Sequence, residues 1–148
     1  MRIHISLEPE LEIKFKEKYD DLKPKGLWYG IDNAWIDWCK SEEYLDTEIY
    51  HKYEVLVNEN NILRIGNQLE LEEFEKKYGF YIPKFLEDFP HKDIVRQINW
   101  EKVQKDYGGI EINPYRRLLV CSVWYSAWDC SSGCVWESGF LGIRRLLS

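Results

Sequence analysis

Thirteen residues near the carboxyl end hold three Trp, one Tyr, two Cys and one Asp: Trp124-Tyr125-Ser126-Ala127-Trp128-Asp129-Cys130-Ser131-Ser132-Gly133-Cys134-Val135-Trp136. An ordinary core strand has no need of so many large rings beside small polar residues. The mixture suits a cleft wall, where rings supply flat contact area and small residues leave room for a ligand. A second cluster lies early in the chain, at Gly26-Leu27-Trp28-Tyr29-Gly30 with Trp35 and Trp38. Two readings stay open. The clusters meet in space around a nucleotide, or the seven Trp fill one core.

A chain of 148 residues fits one domain, spanning 1–148. With 45% hydrophobic and 16% aromatic residues it carries enough apolar material for a core. No apolar run approaches the roughly 18 residues of a membrane span, and Met1-Arg2-Ile3-His4-Ile5-Ser6 holds no signal-peptide core. The expectation is a cytoplasmic protein without membrane contact. A formal charge of −6 argues against general nucleic-acid binding, which wants a basic patch. It leaves room for a small anionic ligand. The four Cys, at 39, 121, 130 and 134, form no CxxC pair and have no matching His nearby, so no metal site is expected and buried thiols are.

Residues 2–6 alternate like a short strand. In residues 10–19, Leu11, Ile13 and Phe15 alternate with charge, which suits a half-buried strand, although Glu and Lys also favour helix. Lys23-Pro24-Lys25-Gly26 marks a turn, and Leu27 to Ile31 reads as a strand. Asp32 or Asn33 caps a helix with Trp35, Trp38 and Cys39 on one face. His51 to Val57 is strand-like with Tyr53, Val55 and Val57 on one side, and Ile62 to Ile65 is another strand. Asn67 and Glu70 have capping-box spacing ahead of a helix that buries Leu71, Phe74 and Tyr78 and stops at Gly79. Residues 80–98 read as an irregular excursion whose aromatic residues need burial. Asn99 caps a helix through Trp100, Val103 and Tyr107. Strands are predicted at Ile110–Ile112, Leu118–Trp124 and Gly133–Trp136. Strands and helices mix without βαβ alternation, so the predicted class is α+β with a mainly antiparallel sheet and a few short helices.

The sequence has no phosphate-binding Walker loop, no Gly-x-Gly-x-x-Gly, no Gly-x-Ser-x-Gly elbow and no His-Glu-x-x-His. His4, between Ile3 and Ile5, either projects into a cleft towards a ribose hydroxyl or is a half-exposed strand residue. Asp106-Tyr107-Gly108-Gly109-Ile110 ends a helix and starts a strand, for which a glycine cap followed by a core strand is a sufficient account.

That junction resembles the Gly-Tyr-Asp-Gly-Ile helix-to-strand junction of ADP-ribosyltransferase (ART) folds. The chain is also similar to a group of small phage and bacterial proteins. They share Lys23-Pro24-x-Gly26-Leu27-Trp28, the Trp35-x-x-Trp38-Cys39 that follows, and Trp128-Asp129-x-x-Ser132-Gly133-Cys134-x-Trp136. The ART resemblance implies a split sheet and NAD as substrate, with no metal. It places His4 and Ser6 of the first strand, Gly26, Leu27 and Trp28 of the second, and Trp128 on the cofactor. It gives Tyr29, Asp129 and Ser132 the catalytic positions, with Asp129 stabilising the ribosyl cation. Trp28, Tyr29, Trp124 or Trp128 would stack on the bases, and Lys23 and Lys25 would meet the pyrophosphate unless they simply face water.

The chain departs from the ART pattern at two points. Ser131 or Ser132 stands where the final catalytic strand usually begins with Glu, and Gly30 ends the second strand where a hydroxyl is expected. Two functions follow. One is an ART-like enzyme that moves ADP-ribose to an unidentified acceptor, such as a protein. The other is an inactive nucleotide- or protein-binding module, for instance a phage factor directed against a host defence.

Overall fold

Alternating apolar residues build the frame. In a computed structural model, which describes residues 1–15, 23–81, 96–116 and 122–147, seven strands form one mixed sheet. They are β1 (Arg2–Ser6), β2 (Leu27–Ile31), β3 (His51–Val57), β4 (Ile62–Ile65), β7 (Gly109–Ile112), β8 (Ser132–Val135) and β9 (Phe140–Leu146), in the order β4-β7-β8-β2-β1-β3-β9. Only the β4–β7 pairing is parallel. The helices are α1 (Ala34–Ser41), α2 (Gln68–Tyr78), α3 (Trp100–Asp106) and α4 (Val123–Ser126). The fold is therefore α+β and mainly antiparallel, as the residue pattern predicts.

Period-two alternation gives the sheet two distinct faces. Against one face, Leu71, Phe74 and Tyr78 of α2, Trp100 and Val103 of α3, and Trp124 and Tyr125 of α4 close over Ile65, Ile110, Ile112 and Cys134. This is the larger core, and it is aromatic: the Phe74 ring lies 5.2 Å from Trp124 and 6.0 Å from Trp100. Each fully buried side chain of Leu or Phe size contributes about 1.5–3 kcal/mol. The other face gathers Leu27, Tyr29, Val55, Val57, Ile62 and Val135, with Ile13 and Phe15 laid over them. Residues 11–15 hold no regular structure, so their alternation serves side-chain packing rather than strand pairing.

Local caps follow the sequence closely. The Asn67 side chain accepts from the Glu70 backbone N–H at 2.8 Å, and Asn99 accepts from Lys102 at 3.2 Å. Glu70 does not complete the expected reciprocal bond to Asn67; its carboxylate takes the Gly66 N–H at 3.2 Å.

Four expectations change. Helix α1 begins after Asn33, without a side-chain cap bond, and buries Ile36 and Cys39, while Trp35 and Trp38 stack on each other half-buried. Within the predicted Leu118–Trp124 strand, residues 118–121 lie outside the described residues, and Val123–Ser126 is a helical turn. Trp124 and Tyr125 are adjacent yet both buried, which a helical turn between two core walls allows and a two-faced strand does not. In residues 80–98, the ends form a hairpin of β5 (Gly79–Tyr81) and β6 (Arg96–Ile98). The middle of that excursion, with Phe85, Leu86 and Phe89, is outside the described residues. Strand β9 has no counterpart among the predicted strands.

Candidate functional site

The site lies where β1 and β2 part. These neighbours pair at Arg2↔Ile31 and Ile3↔Gly30 only. Beyond Ile3 the imidazole of His4 replaces the ladder, with Nδ1 2.7 Å from the Trp28 carbonyl oxygen. A carbonyl only accepts, so Nδ1 carries the proton and Nε2 offers a lone pair. Burial pushes the His4 pKa below its usual value, which keeps the ring neutral and Nε2 an acceptor.

A cleft of about 240 Å³ opens at this parting. Ile3, His4 and Ile5 form one bank, Trp28 and Gly30 the other, and Trp128, Asp129 and Ser132 the far wall. Trp28 and Trp128 meet edge to face with centroids 4.8 Å apart. Trp35 of α1 closes one end. Helix α1 sits so tightly on β2 that a Cβ at Gly30 would lie 2.7 Å from the Trp35 Cβ, so the hydroxyl-bearing residue expected there has no room.

A second cleft, of about 470 Å³, adjoins the first and shares His4, Lys23 and Trp28 with it. Its walls include Gly26, Leu27 and Lys25 on one side and residues 11–15 on the other. The Lys23 ammonium lies over the Trp28 ring, 5.3 Å from its centroid, at the junction of the two. The larger of these two clefts falls within the range of about 300–1,000 Å³ typical of ligand sites.

Among the described residues, Asp129 is the sole acidic side chain in the first cleft, and Glu12 is the acid in the second. Asp129 has φ of 63°, in the left-handed region that Asp tolerates better than most residues. This turn sends the Trp128 ring inwards and leaves the exposed Asp129 at the mouth. Trp128 is 2% exposed, and its indole Nε1–H has no hydrogen-bond partner among the described residues.

Not every expected residue presents its functional group. His4, Trp28, Trp128, Asp129 and Ser132 share the first cleft, and Gly26 and Leu27 line the second. Tyr29 contributes to the lining of the first, but its hydroxyl donates to Glu111 at 2.9 Å, in a buried network with Arg2. The Tyr29 ring lies against Gly133, where a Cβ would approach it to 2.6 Å. Burial and the Glu111 charge hold the phenol far above its normal pKa. The Ser132 hydroxyl donates to the Cys130 carbonyl at 2.9 Å. Ser6 lines neither cleft; its Oγ accepts from the Glu8 N–H at 3.1 Å. Trp124 is fully buried in the aromatic core and is unavailable for stacking.

Trp35, read as part of the early aromatic cluster, is a cleft wall because α1 packs on β2. One contributor escapes sequence reading. Glu111 sits in the apolar run Ile110-Glu111-Ile112, where a charge between two core residues was the available signal. Cys39, Cys130 and Cys134 are free and buried, with Cys121 outside the described residues. Burial raises the Cys130 thiol to about 11 and the Cys134 thiol well above its usual range, so neither is a thiolate nucleophile. Among the described residues no group of His, Cys, Asp and Glu has a metal-binding arrangement, and no helix is long and apolar enough to cross a membrane. No protein-family model, curated protein or solved structure matches the chain.

Proposed function

We propose that this chain is an ADP-ribosyltransferase-like protein that binds NAD across the two joined clefts and cleaves its nicotinamide bond. The observation that carries the reading is that His4, from the first strand, and Asp129, from the turn before β8, line one cleft between indoles. In this reading the nicotinamide ribose sits between them. The nicotinamide ring packs against Trp28 and Trp128, as aromatic pairs do for about 0.5–1.5 kcal/mol beyond burial. His4 Nε2 accepts from a ribose hydroxyl. Lys23, at the junction, offsets the pyrophosphate charge. As the glycosidic bond lengthens, positive charge grows on the ribose, and the Asp129 carboxylate stabilises it in a site partly shielded from water. An acceptor nucleophile then takes the ADP-ribosyl group.

A second reading, a nucleotide binder without turnover, is favoured by a different observation. Asp129 stands on an exposed turn ahead of β8, and the strand itself opens with Ser132, whose hydroxyl is committed to a backbone carbonyl. One pair of measurements separates the readings. Calorimetric titration with NAD reports binding, and a nicotinamide-release assay reports turnover. Binding with release supports the enzyme, and binding without release supports the binder. Neither binding nor release rejects both. At 100-fold excess over Kd, bound NAD adds about 2.7 kcal/mol of stability, which a thermal shift detects.

A further inference from the structure

A third cavity, which shares no lining residue with the two clefts, has a different character. It has a volume of about 310 Å³ and lies between α1, the short 3-10 turn Thr47–Ile49 and the paired ends of β3 and β9. Three cationic residues, Lys40, Lys52 and Arg145, line it against one carboxylate, Glu48. In a chain with 26 acidic and 20 basic side chains, this local excess of positive charge runs against the whole. Among the described residues the Glu48 carboxylate pairs with Lys40 alone, at 3.7 Å, and so does not cancel it.

The remaining polar groups also present donors. Arg145 donates to His51 Nδ1 at 2.8 Å and to the Pro9 carbonyl at 3.0 Å, which holds the guanidinium in place. Because His51 Nδ1 accepts, the proton of a neutral ring lies on Nε2 as a further donor. Thr47, at 6% exposure, also lines the cavity. Ile36 and Leu146 add an apolar wall.

Three cations, a Thr side chain and an apolar side together describe a receptor for an anion with an organic body. We infer that this cavity binds a small organic phosphate. The phosphate would lie among Lys40, Lys52 and Thr47, and the organic part against Ile36 and Leu146. The inference does not depend on the NAD reading, since the cavity shares no lining residue with either cleft.

Amide chemical-shift titration by NMR tests it, with inorganic phosphate and ribose 5-phosphate as probes and sodium chloride at matched ionic strength as control. The expected result is saturable shifts at Thr47, His51 and Leu146, with ribose 5-phosphate binding at least threefold more tightly than phosphate. Lys52→Gln and Thr47→Val should each weaken that binding at least fivefold, while amide dispersion confirms an intact fold. Lys40→Gln checks the charge contribution should either variant misfold. Shifts reproduced by chloride, or binding unaffected by the substitutions, would overturn the site. Equal affinity for the two probes would overturn its organic half.

Discussion

Two regions of the sheet treat their polar groups in opposite ways. Around Tyr29, strongly polar groups answer one another. Glu111, buried at 5% exposure, accepts from Tyr29 and Arg2, and Arg2 also holds Glu59 through two bonds of 2.7 and 2.8 Å. Arg64 reaches both carboxylates. At the parting of β1 and β2, polar groups are positioned but left without partners. His4 offers Nε2, and Asp129 makes no hydrogen bond or ion pair among the described residues. A closed network tightens a fold, whereas these two groups keep capacity for further bonds. The contrast also divides the tryptophans. Trp100 and Trp124 are filling, and Trp28, Trp35 and Trp128 make a wall.

The contrast can be broken by substitution. The largest effect is expected at Glu111: Glu111→Ala leaves Arg2 and Tyr29 facing an uncompensated cavity and should lower stability by about 3–5 kcal/mol, read by urea unfolding. A loss below 1 kcal/mol would mean that the network contributes little to the fold. Next comes Asp129→Asn, which keeps a side chain tolerant of the left-handed turn and removes the charge. If NAD is cleaved, release of nicotinamide should fall about 100- to 1,000-fold, the scale of losing one transition-state electrostatic partner, with NAD affinity within threefold. Unchanged turnover takes Asp129 out of the mechanism.

A smaller effect is expected at His4. His4→Ala should weaken NAD binding about tenfold, or about 1.4 kcal/mol, measured by calorimetry, while folding survives. Loss of the folded state instead would assign His4 to the closed network's role. The smallest effect sharpens the same point through pH. The His4 pKa lies below its ordinary value in the folded chain, so the native state refuses a proton that the unfolded chain accepts below about 6.5. Its contribution is therefore present above that pH and declines as pH falls towards the folded value. Melting temperature should drop between pH 7.5 and 5.5 more in the wild type than in His4→Gln. Parallel curves would show that His4 is not the titrating group.

Most of the frame was legible because it rests on short-range rules. Tyr53, Val55 and Val57 alternate and pair as read, and Asn67 and Asn99 cap their helices by local bonds. Strand β9 was not legible, because a bulge opposite Leu56 and Val57 breaks its period. Phe140 and Ile143 are three apart, yet they face Val57 and Val55, which are two apart. The helical turn Val123–Ser126 was hidden for a related reason: its consecutive buried rings read as a dense strand until long-range packing supplies two walls. In the site, the ART resemblance named His4, Trp28, Trp128 and Asp129, which line the first cleft. The partners that claim Tyr29 and Ser132 are distant or backbone groups, and sequence spacing does not report them.

The bulged outer strand has a bearing on how copies of the molecule meet. β9 forms one margin of the sheet, and its kink comes with two adjacent arginines, Arg144 and Arg145. Straight, uncharged margins invite a neighbouring chain to continue the ladder, and charge and irregular pitch discourage it. This border is a poor template for fibrous stacking, so concentrated solutions of the protein should stay free of edge-joined assemblies even though Leu141 points outwards from it.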